Sequence, residues 1–114
     1  MFTVLGIPNC STVKKARIFL DQMGVDYNFR DLKKEPLDKD SWAKIIEQDD
    51  SNLLINTRGP SFRALNIDKE NLNPSNKLKA LMENASCMKR PLVLKKNKIY
   101  SIGFKEEQYK ELFK

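Results

Sequence analysis

Histidine is absent from the 114 residues, and its absence removes more chemistry than any other feature of the composition. No Cys-His dyad can form, so a reactive thiol here has to be activated by backbone dipoles, lysines and arginines. Zinc would have to be held by thiols and carboxylates alone. The two cysteines, Cys10 and Cys87, form no Cys-x-x-Cys pair, and no metal site is expected. Two cysteines are also too few for a disulfide framework. Long apolar runs are missing, as is a charged-then-apolar leader at the N-terminus, so neither a membrane span nor an export signal is expected and the chain reads as cytoplasmic.

What remains fits a single domain covering residues 1–114. A content of 40% hydrophobic and 32% charged residues is ordinary for a globular protein. A chain of this length buries roughly two-thirds of the surface exposed when unfolded, so it needs no staple. The formal charge is +6, from 21 Lys and Arg against 15 Asp and Glu. The positive residues are spread as Lys14-Lys15-Arg17, Lys33-Lys34, Lys89-Arg90 and Lys95-Lys96-Lys98. That balance favours anionic ligands but falls well short of a nucleic-acid-binding arm, and no direct nucleic-acid contact is expected.

The chain is organised around Gly6-Ile7-Pro8-Asn9-Cys10-Ser11-Thr12-Val13-Lys14-Lys15-Ala16-Arg17, where a short strand hands over to a helix. Phe2–Leu5 is apolar and β-prone and is closed by Gly6 and Pro8. Val13, Ala16, Phe19, Leu20 and Met23 recur at helical spacing, with Gly24 as the stop. Cys10 at the helix start would face unpaired backbone N–H groups at the positive end of the helix dipole. This favours the thiolate and makes it a nucleophile at neutral pH. Ser11 or Thr12 supplies the N-cap hydroxyl, and Lys14 and Lys15 add charge, so the same pocket would attract an oxyanion.

Further along, Val25, Tyr27 and Phe29 alternate with polar residues as in a strand, which implies a parallel β-α-β crossover. Asp38 can cap a helix that buries Trp42, Ile45 and Ile46, while Glu47, Asp49 and Asp50 oppose its dipole and should fray its end. Leu53 to Pro60 leads into a polar loop, and Ser61–Leu65 forms a helical turn. Asn73-Pro74 opens a helix whose inward stripe is Leu78, Leu81, Met82 and Ala85. Leu92–Leu94 and Ile99–Ile102 make a hairpin around Lys96-Asn97, ended by Gly103. A closing helix buries Phe104, Tyr109, Leu112 and Phe113. The order predicts an α/β four-stranded mixed sheet with helices on both faces and a helical insertion at about residues 37–85.

This order, together with Gly6-Ile7-Pro8-Asn9-Cys10-Ser11-Thr12, Leu54-Ile55-Asn56-Thr57-Arg58-Gly59 and Lys89-Arg90-Pro91-Leu92, resembles the arsenate reductase-related family of thioredoxin-like proteins. That family includes the Spx regulators and a small bacterial branch described as glutathione-dependent thiol reductases, to which the chain looks closest. The resemblance covers essentially the whole chain. It implies that Cys10 is the nucleophile, that Arg58 and Arg90 hold an oxyanion or stabilise the thiolate, and that Pro91 is the cis-proline of the fold. Asn9, Ser11, Thr12 and Lys14 would complete the anion site. It also implies glutathione as thiol co-substrate, a glutaredoxin-like partner and no bound cofactor. The alternative role it implies is that of a regulator contacting the C-terminal domain of the RNA polymerase α subunit.

Two departures from the family pattern stand out. The arsenate reductases carry a third arginine after the hairpin, where this chain reads Ile102-Gly103-Phe104. The regulators' redox switch places a second cysteine three positions after the first, and Val13 stands there, which excludes a reversible switch within the motif. Cys87 reads as a structural cysteine rather than a resolving thiol.

Overall fold

A computed structural model describes residues 1–113. In chain order its elements are β1 (Phe2–Gly6), α1 (Ser11–Gln22), β2 (Tyr27–Asp31), α2 (Lys39–Glu47), α3 (Pro60–Arg63), α4 (Pro74–Glu83), a 3-10 turn (Ala85–Cys87), β3 (Leu92–Lys95), β4 (Lys98–Ile102) and α5 (Glu106–Leu112). They fall into two units, one of Met1–Leu32 with the segment from Arg90 onward, the other of Lys33–Lys89.

The first unit holds a four-stranded sheet in the order β2-β1-β3-β4. β1 pairs in parallel with β2 from Phe2↔Tyr27 to Gly6↔Asp31, and antiparallel with β3 from Phe2↔Lys95 to Leu5↔Leu92. The parallel pair requires a crossover, which α1 supplies. Val4 and Val93 project to one face, where they form a buried cluster with Ala16 and Leu20 of α1 and with Tyr109 and Phe113. Phe2 and Tyr100 meet edge-on at 4.8 Å between ring centres, as do Phe104 and Tyr109. Leu5 and Leu92 point to the opposite face and are equally buried. Burial on both faces is why β1 and β3 read as continuous apolar runs instead of alternating ones.

Two ends of α1 set its position. At its C-terminus Gly24 takes φ +72°, its N–H donating to the Asp21 carbonyl (3.1 Å) while the Val25 N–H donates to Leu20 (3.0 Å). This is a Schellman arrangement. It also moves a boundary: the strand expected from Val25 begins at Tyr27, because the Val25 N–H is spent on the helix. Near the other end, a Cβ on Gly6 would lie 3.0 and 3.1 Å from the two γ-carbons of Val13, so the bare backbone lets α1 approach β1. At the hairpin tip Lys96 and Asn97 take φ 51° and 66°, as a primed two-residue turn demands.

In the second unit Asp38 accepts from the Ser41 N–H at 2.8 Å and Asn73 from the Asn76 N–H at 2.8 Å, so both expected caps are made. Trp42, Ile45 and Ile46 are buried as their spacing predicts. α4 differs. Its buried residues are Lys77, Ala80 and Leu81, whereas Met82 is half exposed and Ala85 lies beyond the helix. The helix is turned so that a lysine faces inward, and the reason is Asp49. That carboxylate does not hang frayed from the end of α2. It is buried, accepts from the Leu53 N–H (2.9 Å) and the Leu54 N–H (3.3 Å), and receives the Lys77 ammonium at 3.1 Å. Lys77 Nζ also donates to the Asp49 carbonyl at 3.2 Å.

Candidate functional site

Cys10 occupies the N-cap position of α1. Its backbone is extended (φ −104°, ψ 120°), and its carbonyl accepts the first helical bond, from the Lys14 N–H at 3.1 Å. No side chain caps this end. Ser11 and Thr12, expected to supply the capping hydroxyl, are instead the first two helical residues and are exposed. The chain needs an extended residue at the cap and reaches it one position earlier than a Ser or Thr cap would require. The consequence is chemical: the half-buried Cys10 stands at the cap position of a helix whose first N–H groups have neither an intrahelical acceptor nor a capping side chain. The first turn of α1 has no acidic residue, and Lys14 is exposed on it. Arg17 is committed elsewhere, its guanidinium 4.0 Å over the Phe29 ring and its Nε donating to the Tyr27 hydroxyl at 3.4 Å.

Asn9 lies in the exposed turn just before Cys10. The Arg90–Pro91 bond is cis, and Pro91 is buried, its carbonyl accepting from the Gly103 N–H at 2.9 Å. Because Leu5 pairs with Leu92, the end of β1 and the start of β3 share one end of the sheet. The topology thereby brings Asn9, Cys10, Ser11, Thr12 and Lys14 to the same end as Arg90 and Pro91. Arg90 is half-buried and has no ion-pair partner among the described residues.

Arg58 belongs to the second unit. It is exposed on a turn closed by the Gly59 N–H donating to the Asn56 carbonyl at 3.2 Å. The residues before that turn are braced. Ile55 bridges Met88 antiparallel, flanked by the Asn56 N–H to Cys87 carbonyl bond and the Lys89 N–H to Leu54 carbonyl bond, both 2.7 Å. Arg58 lines two clefts. One, of about 520 Å³, also includes Arg63 and Lys69. The other, of about 280 Å³, includes Asn52, Asn56, Thr57 and Lys89. The sequence does not single out Lys89, Asn52 or Asn56 as ligands. The signal for Lys89 is its place beside Arg90, where the sequence shows only a short run of positive charge. Cys87 is 1% exposed, which suits a structural thiol. Among the described residues no helix is long and apolar enough to cross a membrane.

A helix that starts at a cysteine, beside a strand entered through a cis-proline on a β2-β1-β3-β4 sheet, defines the thioredoxin-like class of α/β proteins. Within that class residues 5–112 match the model of the ArsC family, and the chain belongs to it. An arsenate reductase (ArsC) related protein from Brucella melitensis is 34% identical, with a TM-score of 0.79 over 99% of this chain and 94% of that one. A YFFB protein superposes with a TM-score of 0.85 at 26% identity, covering 100% of both chains. The global transcriptional regulator Spx of Streptococcus mutans is 30% identical over 95% of this chain and 80% of its own length.

Proposed function

We propose that the protein is a thiol-dependent reductase of the arsenate reductase type, with Cys10 as nucleophile and glutathione as the second thiol. The observation that carries this reading is the N-cap position of Cys10, with the helix start free of any capping side chain. In the reaction, the Cys10 sulfur bonds to arsenic(V) as water leaves. A glutathione thiol then attacks, arsenic departs as arsenite with the electron pair, and a Cys10–glutathione disulfide remains. A glutaredoxin-like protein or a second glutathione reduces that disulfide. Arg58 and Arg90 hold the oxyanion, a task suited to permanently charged planar donors. Asn9, Ser11, Thr12, Lys14 and Pro91 complete the anion pocket.

The test is arsenite formation with glutathione and glutaredoxin, alongside intact-mass detection of a glutathione adduct. Cys10→Ser should abolish both with the fold intact, and Arg90→Ala should lower turnover about tenfold or more. Absence of turnover and of any adduct in the wild-type protein rejects the reading. The Spx relative at 30% identity favours one alternative, a regulator that contacts the C-terminal domain of the RNA polymerase α subunit. Tight stoichiometric capture of that domain, undiminished in Cys10→Ser, would decide for it.

A further inference from the structure

On the outward side of α1, Ser11, Lys14, Lys15 and Ile18 are all exposed. They recur at the i, i+3, i+4 and i+7 spacing that places residues on one face of a helix. That face lies opposite Val13, Ala16 and Leu20, the buried stripe of the same helix. Ile18 is 55% exposed, whereas every other apolar residue of α1 is buried or half-buried. Lys14 and Lys15 make no ion pair among the described residues. The only acid of α1, Asp21, comes one turn after Ile18. The face is therefore basic at the end that begins with Cys10 and apolar at its middle.

We infer that this face receives a thiol-bearing protein with carboxylates bordering its cysteine, which seats on Lys15 and Ile18 to take glutathione from Cys10. The inference rests on the proposed reading of Cys10 as the thiol that carries a glutathione adduct, and adds the surface over which that adduct is cleared. The step is a disulfide exchange. The partner's thiolate attacks the glutathione sulfur, a bond forms between those two sulfurs, the Cys10–glutathione bond breaks, and Cys10 leaves as a thiolate with the electron pair. Footprint selects a protein over a small thiol. Ile18 lies about 12 Å along the helix from Cys10, at 1.5 Å per residue. An interface of about 800 Å² per partner, centred on the reacting sulfur, is a disc of about 16 Å radius, so a protein docked there covers the first two turns of α1. Glutathione, a tripeptide joined through its central cysteine, has no such footprint. Charge selects an acidic partner. Two exposed lysines next to Cys10 and a formal charge of +6 draw carboxylates in and repel a second copy of the chain. Ile18 then supplies an apolar contact inside a charged rim.

The experiment starts from the full-length protein carrying glutathione on Cys10, loaded by exchange with glutathione disulfide, which needs no arsenate. Release of Cys10 is followed by intact mass with two reductants, free glutathione and a glutaredoxin with carboxylates bordering its cysteine. Ile18→Ser should slow release by the glutaredoxin about fivefold and leave release by glutathione unchanged. Lys15→Glu should slow the glutaredoxin about tenfold, far more than it slows glutathione, while Lys15→Arg keeps the wild-type rate. Added sodium chloride should lower the wild-type rate with the glutaredoxin and shrink its lead over Lys15→Glu. Lys98→Glu makes the same charge change at the opposite end of the sheet, where Lys95 pairs with both Phe2 and Lys98, and should leave both rates as they are. An equal effect of Lys98→Glu reduces the steering to net charge and overturns the inference. So do an unaffected Ile18→Ser protein, equal slowing of the two reductants, or a dimer that Ile18→Ser dissociates. Failure of glutathione disulfide to load Cys10 removes the exchange step and the inference with it. Arsenite formation is scored separately. Turnover with α1 variants that match the wild type rejects this inference alone, and clearance across this face without arsenite formation rejects the reductase reading alone.

Discussion

Replacing Lys77 with methionine removes an ammonium while keeping most of the side chain's apolar stem, and the consequence follows from what Asp49 is left with. The two side chains are 5% and 1% exposed, so the exposed-pair regime of less than about 1 kcal/mol does not apply. Stranding one partner of a buried pair typically costs about 3–5 kcal/mol. Asp49 would keep the N–H donors of Leu53 and Leu54, which places Lys77→Met near the lower end, at about 3 kcal/mol. Asp49→Asn leaves the ammonium facing a neutral amide and the retained Asp49 carbonyl, and should cost about 3 kcal/mol by the same reasoning. The double variant strands neither charge, so its loss should fall short of the sum by about 2 kcal/mol. Urea unfolding at pH 7 reads all three, since a domain with about 5–15 kcal/mol of stability stays folded through losses of this size. A cost below about 1 kcal/mol for Lys77→Met, or strict additivity, would refute the assignment of this pair as a buried, mutually dependent one.

Tyr109 gives a pH prediction. Burial pushes its hydroxyl from 10.0 up to about 12, against a smaller opposing effect of Ser101. The native state therefore holds this proton where the unfolded chain has lost it. The stability it contributes is complete below about pH 10, falls as pH rises toward 12 and levels off above it, amounting to about 3 kcal/mol. Tyr109→Phe should lose this pH 10–12 dependence in alkaline unfolding, and an unchanged slope would refute it. Gly6→Ala should destabilise by about 1–3 kcal/mol through overpacking against Val13, with Val13→Ala restoring part of the loss in thermal melts; simple additivity would count against the close approach. Native alkylation should modify Cys10 long before Cys87, which is 1% exposed. Mass spectrometry showing equal rates would overturn the structural role of Cys87.

The readable parts of this fold were those in which a local rule and the tertiary structure agree. Asp38 and Asn73-Pro74 cap helices because short acceptors and an N1 proline satisfy the helix start whatever surrounds them. Lys96-Asn97 turns a hairpin because the strands leave two residues and no more. Failures fell where a long-range polar contact outweighed pattern. Hydrophobic spacing places Leu78 and Met82 inside α4, yet the buried lysine at 77 turns the helix because a carboxylate 28 positions earlier awaits it. Periodicity assigns lysines to solvent and has no term for such a partner. Ser11 and Thr12 misled for a related reason: their preference for the cap is real, but the cap went to Cys10. Cys10 at a helix start was legible from local pattern, whereas Arg90 and the cis bond before Pro91 entered only through the family resemblance. The shared end of the sheet that unites them needed the register of β1 against β3.

The arsenate reductases carry a third arginine where this chain reads Ile102-Gly103-Phe104, and the structure gives that segment other work. The Gly103 N–H is spent on the Pro91 carbonyl, and its carbonyl accepts from the Tyr109 hydroxyl at 3.2 Å. Phe104 packs edge-on against Tyr109 and lies 5.9 Å from Phe19 between ring centres. Introducing an arginine at 104 would therefore remove an aromatic from the cluster that seats α1 and α5, at a cost of about 3 kcal/mol or more if its charge followed the ring inward. In this chain the segment supports the core and does not supply charge. On the function proposed above, the anion draws on Arg58, Arg90 and Lys14, none of which stands on this segment.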